Sequence, residues 1–280
     1  MEKINDYFSN PASFWYDVRK HKKDIIFYSF GLLFVLLIFI FISSKTYSFI
    51  MVLASTVQML GFLMLINKIT SNKSCSGLSL NTIISYAIVL FSRLTATVIG
   101  KTYLPEDSSG DWFYQLTEFI SFMACVVLIY LITYVYRDTR DTQNDKIQFY
   151  VLMLLASPFA LLFKPSLIKN SLLDFNWAFS MYLETIAIFP QINMFQSRGG
   201  KIDSFTGHYV AICGLSRLLS LIFWFDTYPE LAEENSFFSR QAGRGIILTQ
   251  ILQLVLMCDY YYLYFKSIFK GEKGVITIDI

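Results

Sequence analysis

Long apolar runs, each closed by a short polar stretch, recur along the whole chain. The first covers about residues 24–43. Seven more follow at about 47–67, 79–100, 113–136, 147–163, 171–193, 205–225 and 243–268. A run of about 20 apolar residues, at 1.5 Å of rise each, crosses a hydrocarbon core of ~30 Å. Inside a bilayer a helix pairs its backbone groups internally. The pattern therefore predicts an all-α polytopic membrane protein with eight spans. The basic segment Arg19-Lys20-His21-Lys22-Lys23 also suits the start of a cleavable signal peptide. Its length, and the poor cleavage motif at Phe41-Ile42-Ser43-Ser44-Lys45, favour a retained first span.

An even number of spans puts both termini on one side. Lys45, Lys101, Lys164, Lys169 and Arg240 fall on the other side, and most remaining lysines and arginines fall with the termini. Basic residues mark the cytosolic side, so both termini are expected there. The opposite side carries acidic turns at Pro105–Asp111 and Asp226–Glu234.

One run departs from plain apolarity. Asp174, Trp177, Met181, Glu184, Ile188 and Gln191 follow the i, i+3, i+4 rule and share one helix face. Asp174 and Glu184 stand roughly 15 Å apart along that helix, one near a membrane surface and one near its middle. A carboxylate at mid-bilayer costs about 2.5–3.5 kcal/mol on insertion scales, so Glu184 is expected to face a cavity or a cation.

Two weak patterns recur at nearly equal offsets. Ile66-Asn67-Lys68-Ile69-Thr70-Ser71 matches Ile192-Asn193-Met194-Phe195-Gln196-Ser197, and Ser92-Arg93-Leu94 matches Ser216-Arg217-Leu218. An offset of four spans implies parallel repeats related by an axis along the membrane normal. The second to fourth spans form one three-helix bundle, the fifth is a linker, and the last three form the second bundle. The first span stands outside. Arg93 and Arg217 become equivalent positions flanking the axis near Glu184, with Glu118 as a second acid. A Glu–Arg contact there reads either as a lock on the bundle or as part of a polar cavity whose arginine receives an anionic group.

Composition narrows the classes. The chain is 55% hydrophobic and 16% charged, with mean hydropathy +0.49 and net charge +2. Nothing points to nucleic acid; lipid is the expected surroundings. Cys75, Cys125, Cys213 and Cys258 lack metal-site spacing, and His21 and His208 are far apart. Phosphate-loop, dinucleotide, zinc-protease and serine-hydrolase motifs are missing, so no enzyme, metal or cofactor is expected.

Further residues carry a resemblance. Ser74-Cys75-Ser76-Gly77-Leu78-Ser79, Trp177 through Glu184, Pro190-Gln191, His208-Tyr209, Cys258 through Tyr264 and Lys270-Gly271 resemble the ER lumen protein-retaining receptors, the KDEL receptors. The resemblance covers about residues 50–273. It implies a seven-helix domain at 47–268, related to the SWEET and PQ-loop transporters, between an N-terminal segment with an extra helix at 1–46 and a cytosolic tail at 269–280. It also implies a receptor of ER and Golgi membranes that binds C-terminal Lys/His-Asp-Glu-Leu signals and returns escaped luminal proteins. By position, Arg93, Asp174, Trp177, Glu184, Arg217 and Trp224 would line the ligand site. Asp259 and Lys270 would serve trafficking, with coat or trafficking machinery as cytosolic partners.

The chain departs from the family at several positions. The family's arginine near the start of its first helix falls on about Met51, its pH-linked histidine on about Gln58, and an aspartate on Ala96. Ser216 and Ser220 replace tyrosines, Phe223 an asparagine, Thr227 an arginine and Glu272 a lysine. Protonation of Glu184 is the expected substitute for the missing histidine switch, and an altered signal preference is expected. A small-solute transporter and a non-binding paralogue acting only in Golgi–ER trafficking are the alternatives.

Overall fold

The computed structural model describes residues 48–100, 111–166, 170–198, 201–231, 241–270 and 275–277. All belong to the second of the chain's two units, Met1–Lys45 and Thr46–Ile280. The span expected at about 24–43 lies outside the described residues, together with both readings of its basic flank.

The seven later runs are helical. They form α1 (Ser48–Asn72), α2 (Leu80–Gly100), α3 (Asp111–Tyr130), α4 (Phe149–Leu162), α5 (Ser171–Ala187), α6 (Phe189–Ser197), α7 (Ser204–Thr227) and α8 (Ala242–Lys270). Among the described residues, four helical stretches are long and apolar enough to cross a membrane by length and composition. These are Phe49–Asn72, Leu80–Gly100, Asp111–Val135 and Gly207–Phe225. The chain is an all-α polytopic membrane protein.

Local chemistry refines three of the apolar runs. The run at 171–193 is two helices, because Pro190 offers no N–H and cannot continue the α5 ladder. Gln191 N instead donates to Ile188 O at 3.1 Å. The run at 113–136 ends in a wider turn, Leu131–Val135, where Tyr136 N reaches Leu131 O at 2.8 Å. Phe149–Leu162 is about 21 Å long and contains Pro158. A short antiparallel pairing of Lys201–Asp203 with Val275–Thr277 lies outside the all-helical pattern.

Setting α4 aside, the helices follow one another around a common interior. α1 packs on α3 and α7, α2 on α3 and α5, and α8 on α5 and α7, while α4 lies against α5 and α2. Outward faces carry exposed apolar side chains such as Phe91, Val98, Leu154, Leu248 and Val255, as a lipid-facing surface requires. Toward the end where α1 and α6 finish, the interior is filled by Phe62, Leu65, Tyr86, Leu128, Ile188, Tyr209 and Met257. Phe62 meets Tyr86 and Tyr209 at ring-centroid distances of 5.5 and 5.8 Å.

That end is closed by polar side chains that cap backbone groups. Asp145 is buried and serves the start of α2, accepting from Ser79 Oγ at 2.6 Å, Leu80 N at 3.0 Å and Asn81 N at 3.4 Å. Gln191 accepts from Ser79 N and donates to Gly77 O, both at 2.8 Å. Gly77 adopts φ +83°, where a side chain is strained, and so turns its carbonyl to that amide. Arg198 ties the same loop to the next, through Asp141 at 3.2 Å and Ser76 Oγ at 3.0 Å.

The Asp145 cap gives a direct expectation. Asp145→Ala strands two amide donors at a buried helix start and should cost about 1–3 kcal/mol. Asp145→Asn, which keeps one acceptor oxygen, should lose less. Thermal unfolding in detergent measures both, and an Asp145→Ala midpoint equal to the parent's would show that the cap contributes nothing.

Candidate ligand-binding site

Six polar side chains, one from each helix around the interior, meet midway along the bundle. They are Gln58 of α1, Arg93 of α2, Glu118 of α3, Glu184 of α5, Arg217 of α7 and Gln253 of α8, all buried. Glu184 is the hub. Its Oε2 accepts from Arg93 Nη1 and Arg217 Nη1, each at 2.6 Å. Its Oε1 accepts from Gln58 Nε2 at 3.1 Å and Arg93 Nη2 at 3.4 Å. Its main-chain carbonyl accepts from Gln253 Nε2 at 3.1 Å.

The contacts continue outward from the hub. Arg93 holds Glu118 through Nε at 2.7 Å and Nη2 at 3.2 Å. Arg217 Nη2 donates to Gln58 Oε1 at 2.7 Å and to Ser216 Oγ at 3.2 Å. Ser216 Oγ donates to Ala54 O at 2.7 Å, and Ser55 Oγ lies 2.8 Å from Thr117 Oγ1. Two guanidinium groups thus face two carboxylates, and the formal charge of the layer is zero. An isolated charge here would be very costly, and the close pairing of the charges is what makes the burial tolerable.

Toward the other end of the bundle the interior changes character. Trp177 stands seven residues before Glu184, about 10 Å along α5. It is fully buried and meets Trp224 of α7 edge-to-face, with centroids 5.7 Å apart. Phe223 packs on Trp224 at 5.1 Å. Asp174 lies in the first turn of α5, where the helix dipole favours a carboxylate, and is 2% exposed. Asn170 caps that turn by accepting from Leu172 N at 3.0 Å.

The comparisons with known proteins bear on this arrangement. Residues 74–227 match the family profile described as ER lumen protein retaining receptor. The ER lumen protein-retaining receptor 3 of Mus musculus is 30% identical over 230 residues, spanning 82% of this chain and 98% of that protein. The chain belongs to this family. The ER lumen protein-retaining receptor erd-2.2 of Caenorhabditis elegans is 30% identical over 219 residues, 78% of this chain and 93% of that protein. The ER lumen protein-retaining receptor 2 of Homo sapiens is 29% identical over 210 residues, 75% and 89% respectively.

Of the residues singled out in the sequence of this family member, Arg93, Glu184 and Arg217 come together in the ionic layer. Trp177 and Trp224 form a pair one level away, with Asp174 beyond them. Asp259 and Lys270 belong to α8 by their backbone, and their side chains lie outside the described residues. Gln58 emerges as more than a substitution, because its amide is both donor to Glu184 and acceptor from Arg217. Gln253 was hidden in the apolar run of α8. The signal that would have exposed it is the pair of glutamines, Gln250 and Gln253, three residues apart in an apolar helix. Among the described residues, no group of three or more His, Cys, Asp or Glu is placed to hold a metal ion.

The pairing predicts a non-additive mutational response. Arg93→Leu leaves Glu118 with no cationic partner and should destabilise by about 3–5 kcal/mol. Adding Glu118→Leu removes the stranded charge, so the double variant should unfold at a higher temperature than Arg93→Leu alone. A double variant less stable than Arg93→Leu would contradict this account of the layer.

Proposed function

We propose that this chain is a receptor for C-terminal retention signals that returns luminal proteins from Golgi to ER. The single observation behind this reading is the convergence of Arg93, Glu184 and Arg217 in one buried layer, with Trp177, Trp224 and Asp174 in order above it. The signal peptide enters from the Asp174 end, which faces the lumen, and its last residues lie between the tryptophan pair and the ionic layer. The packed aromatic end faces the cytosol together with both termini. Asp259 and Lys270 on that side engage the coat or trafficking machinery, and the first span anchors the N-terminal segment.

The fold follows the same logic. We read α1–α3 and α5–α8 as two parallel three-helix repeats of the SWEET and PQ-loop kind, with α4 as linker. In both halves the third helix packs against the other two, and α1–α7 and α2–α5 are the matching contacts between halves.

The electrostatics favour an altered signal preference. A peptide carboxylate must compete with Glu118 and Glu184 for guanidinium groups that are already engaged. A charge-assisted hydrogen bond contributes about 1.5–3 kcal/mol, roughly ten- to hundredfold in affinity. Losing the arginines of the Met51 and Thr227 positions therefore weakens the usual signal. Ala96 offers no charge to a basic residue within it.

Peptide binding to the purified protein at mildly acidic and neutral pH tests the reading. The panel holds peptides ending in Lys-Asp-Glu-Leu or His-Asp-Glu-Leu, their C-terminal amides, and a library randomised at the C-terminus. Free C-termini should bind, amidation should cost at least about tenfold, and Arg217→Ala should cost as much. If no free C-terminus binds, the receptor reading fails. Solute flux in proteoliposomes then decides whether the chain is a transporter.

A further inference from the structure

Gln250 is a polar residue that the ionic layer does not use. It lies in α8, one helical turn before Gln253 on the same face, and its side chain is 0% exposed. Neither its amide nitrogen nor its amide oxygen has a hydrogen-bond partner among the described residues. A carboxamide holds two donors and an acceptor, and burying it unpaired is costly. Leucine would fill the same place without that cost.

Two further unpaired groups accompany it. Trp224 Nε1 and Gln253 Oε1 are buried and without partners among the described residues. Gln253 is level with Glu184, since its Nε2 reaches the Glu184 carbonyl. Gln250 is about 4.5 Å further toward the Asp174 end, and Trp224 is about 10 Å beyond Arg217 in the same direction. Helical side chains lean toward the N-terminus of their helix, which carries the Gln250 amide from the ionic layer toward the tryptophan pair.

We propose that Gln250 is a specificity-determining residue of the binding site, its carboxamide pairing with an uncharged amide of the bound C-terminal peptide. The inference rests on the receptor reading and adds a contact that the charged residues do not supply. A ligand carboxylate would use only the Gln250 NH2, and a ligand ammonium only its oxygen. An amide satisfies both. In the main chain the donor and acceptor are the N–H and C=O of one residue of an extended peptide, which belong to adjacent peptide bonds; in a side chain they are the carboxamide of an Asn or Gln of the signal. Trp224 Nε1 and Gln253 Oε1 supply a further donor and a further acceptor to the same uncharged chain.

The test uses the full chain in detergent and two fluorescent probes: a peptide ending in Lys-Asp-Glu-Leu, and the tightest binder from a library randomised at its C-terminus. Anisotropy titrations compare the parent with Gln250→Leu and Gln250→Met. The proposal expects each substitution to weaken the tightest binder by at least about tenfold. The thermal midpoint without peptide should be equal to the parent's or higher, because an unpaired amide has been removed. If Gln250→Leu fails to fold, Gln250→Met carries the comparison.

Two arms distinguish the source of the amide. N-methylation of one peptide bond that weakens the parent, with no additional effect in Gln250→Leu, assigns a main-chain amide. Enrichment of Asn or Gln at one library position, lost in Gln250→Leu, assigns a side chain. Binding unchanged in both variants overturns this inference and leaves the receptor reading standing. Failure of the parent to bind either probe overturns both.

Discussion

A carboxylate clamped between two arginines in the middle of a membrane bundle is the constraint from which the rest of this structure follows. Glu184 takes a guanidinium from α2 and another from α7, an amide from α1, and through Arg93 a second acid from α3. No single helix of this set can enter the bilayer interior with its polar residue unaccompanied. The interaction therefore selects which helices become neighbours and at what depth, and apolar packing completes an arrangement whose register the charges set. Ser216 on Ala54 O, and Ser55 with Thr117, extend that register along the same helices.

The charge balance of the layer carries a functional consequence. Two positive and two negative groups at hydrogen-bond distance leave little field for a ligand carboxylate, in contrast to a site built from unopposed arginines. On the proposed receptor reading, recognition leans on uncharged partners and aromatic faces, with the carboxylate of Asp174 beyond them. Gln58 reinforces the balance. Its amide bridges Glu184 and Arg217 with donor and acceptor at once.

The two halves of the interior divide the work. Below the layer, Phe62, Tyr86, Tyr209 and their apolar neighbours leave a dense plug, and Asp145, Gln191 and Arg198 tie its loops together. Above it stand the Trp177–Trp224 pair and the amide of Gln250, where the proposed reading places an extended peptide. A family resemblance spread over most of the chain thus coincides with an interior polarised from end to end.

Much of this was legible in the chain as written. The eight described helices fill the seven apolar runs expected there, because a bilayer demands long apolar stretches whatever their neighbours. Intramembrane Glu184, Arg93 and Arg217 stood out for the same reason, since such residues need partners. What periodicity could not place was the break at Pro190, where a missing N–H stops the ladder inside one apolar run. Nor could it show that Gln58 and Gln253 find partners on Glu184 while Gln250 finds none, since an amide in an apolar helix has no preferred partner until helices pack. The apolar runs and the need for charge pairing were readable in the chain, since both are properties of single helices in lipid. Which acid meets which arginine, and which amides remain unpaired, came from the packing, because those depend on six helices converging at one depth.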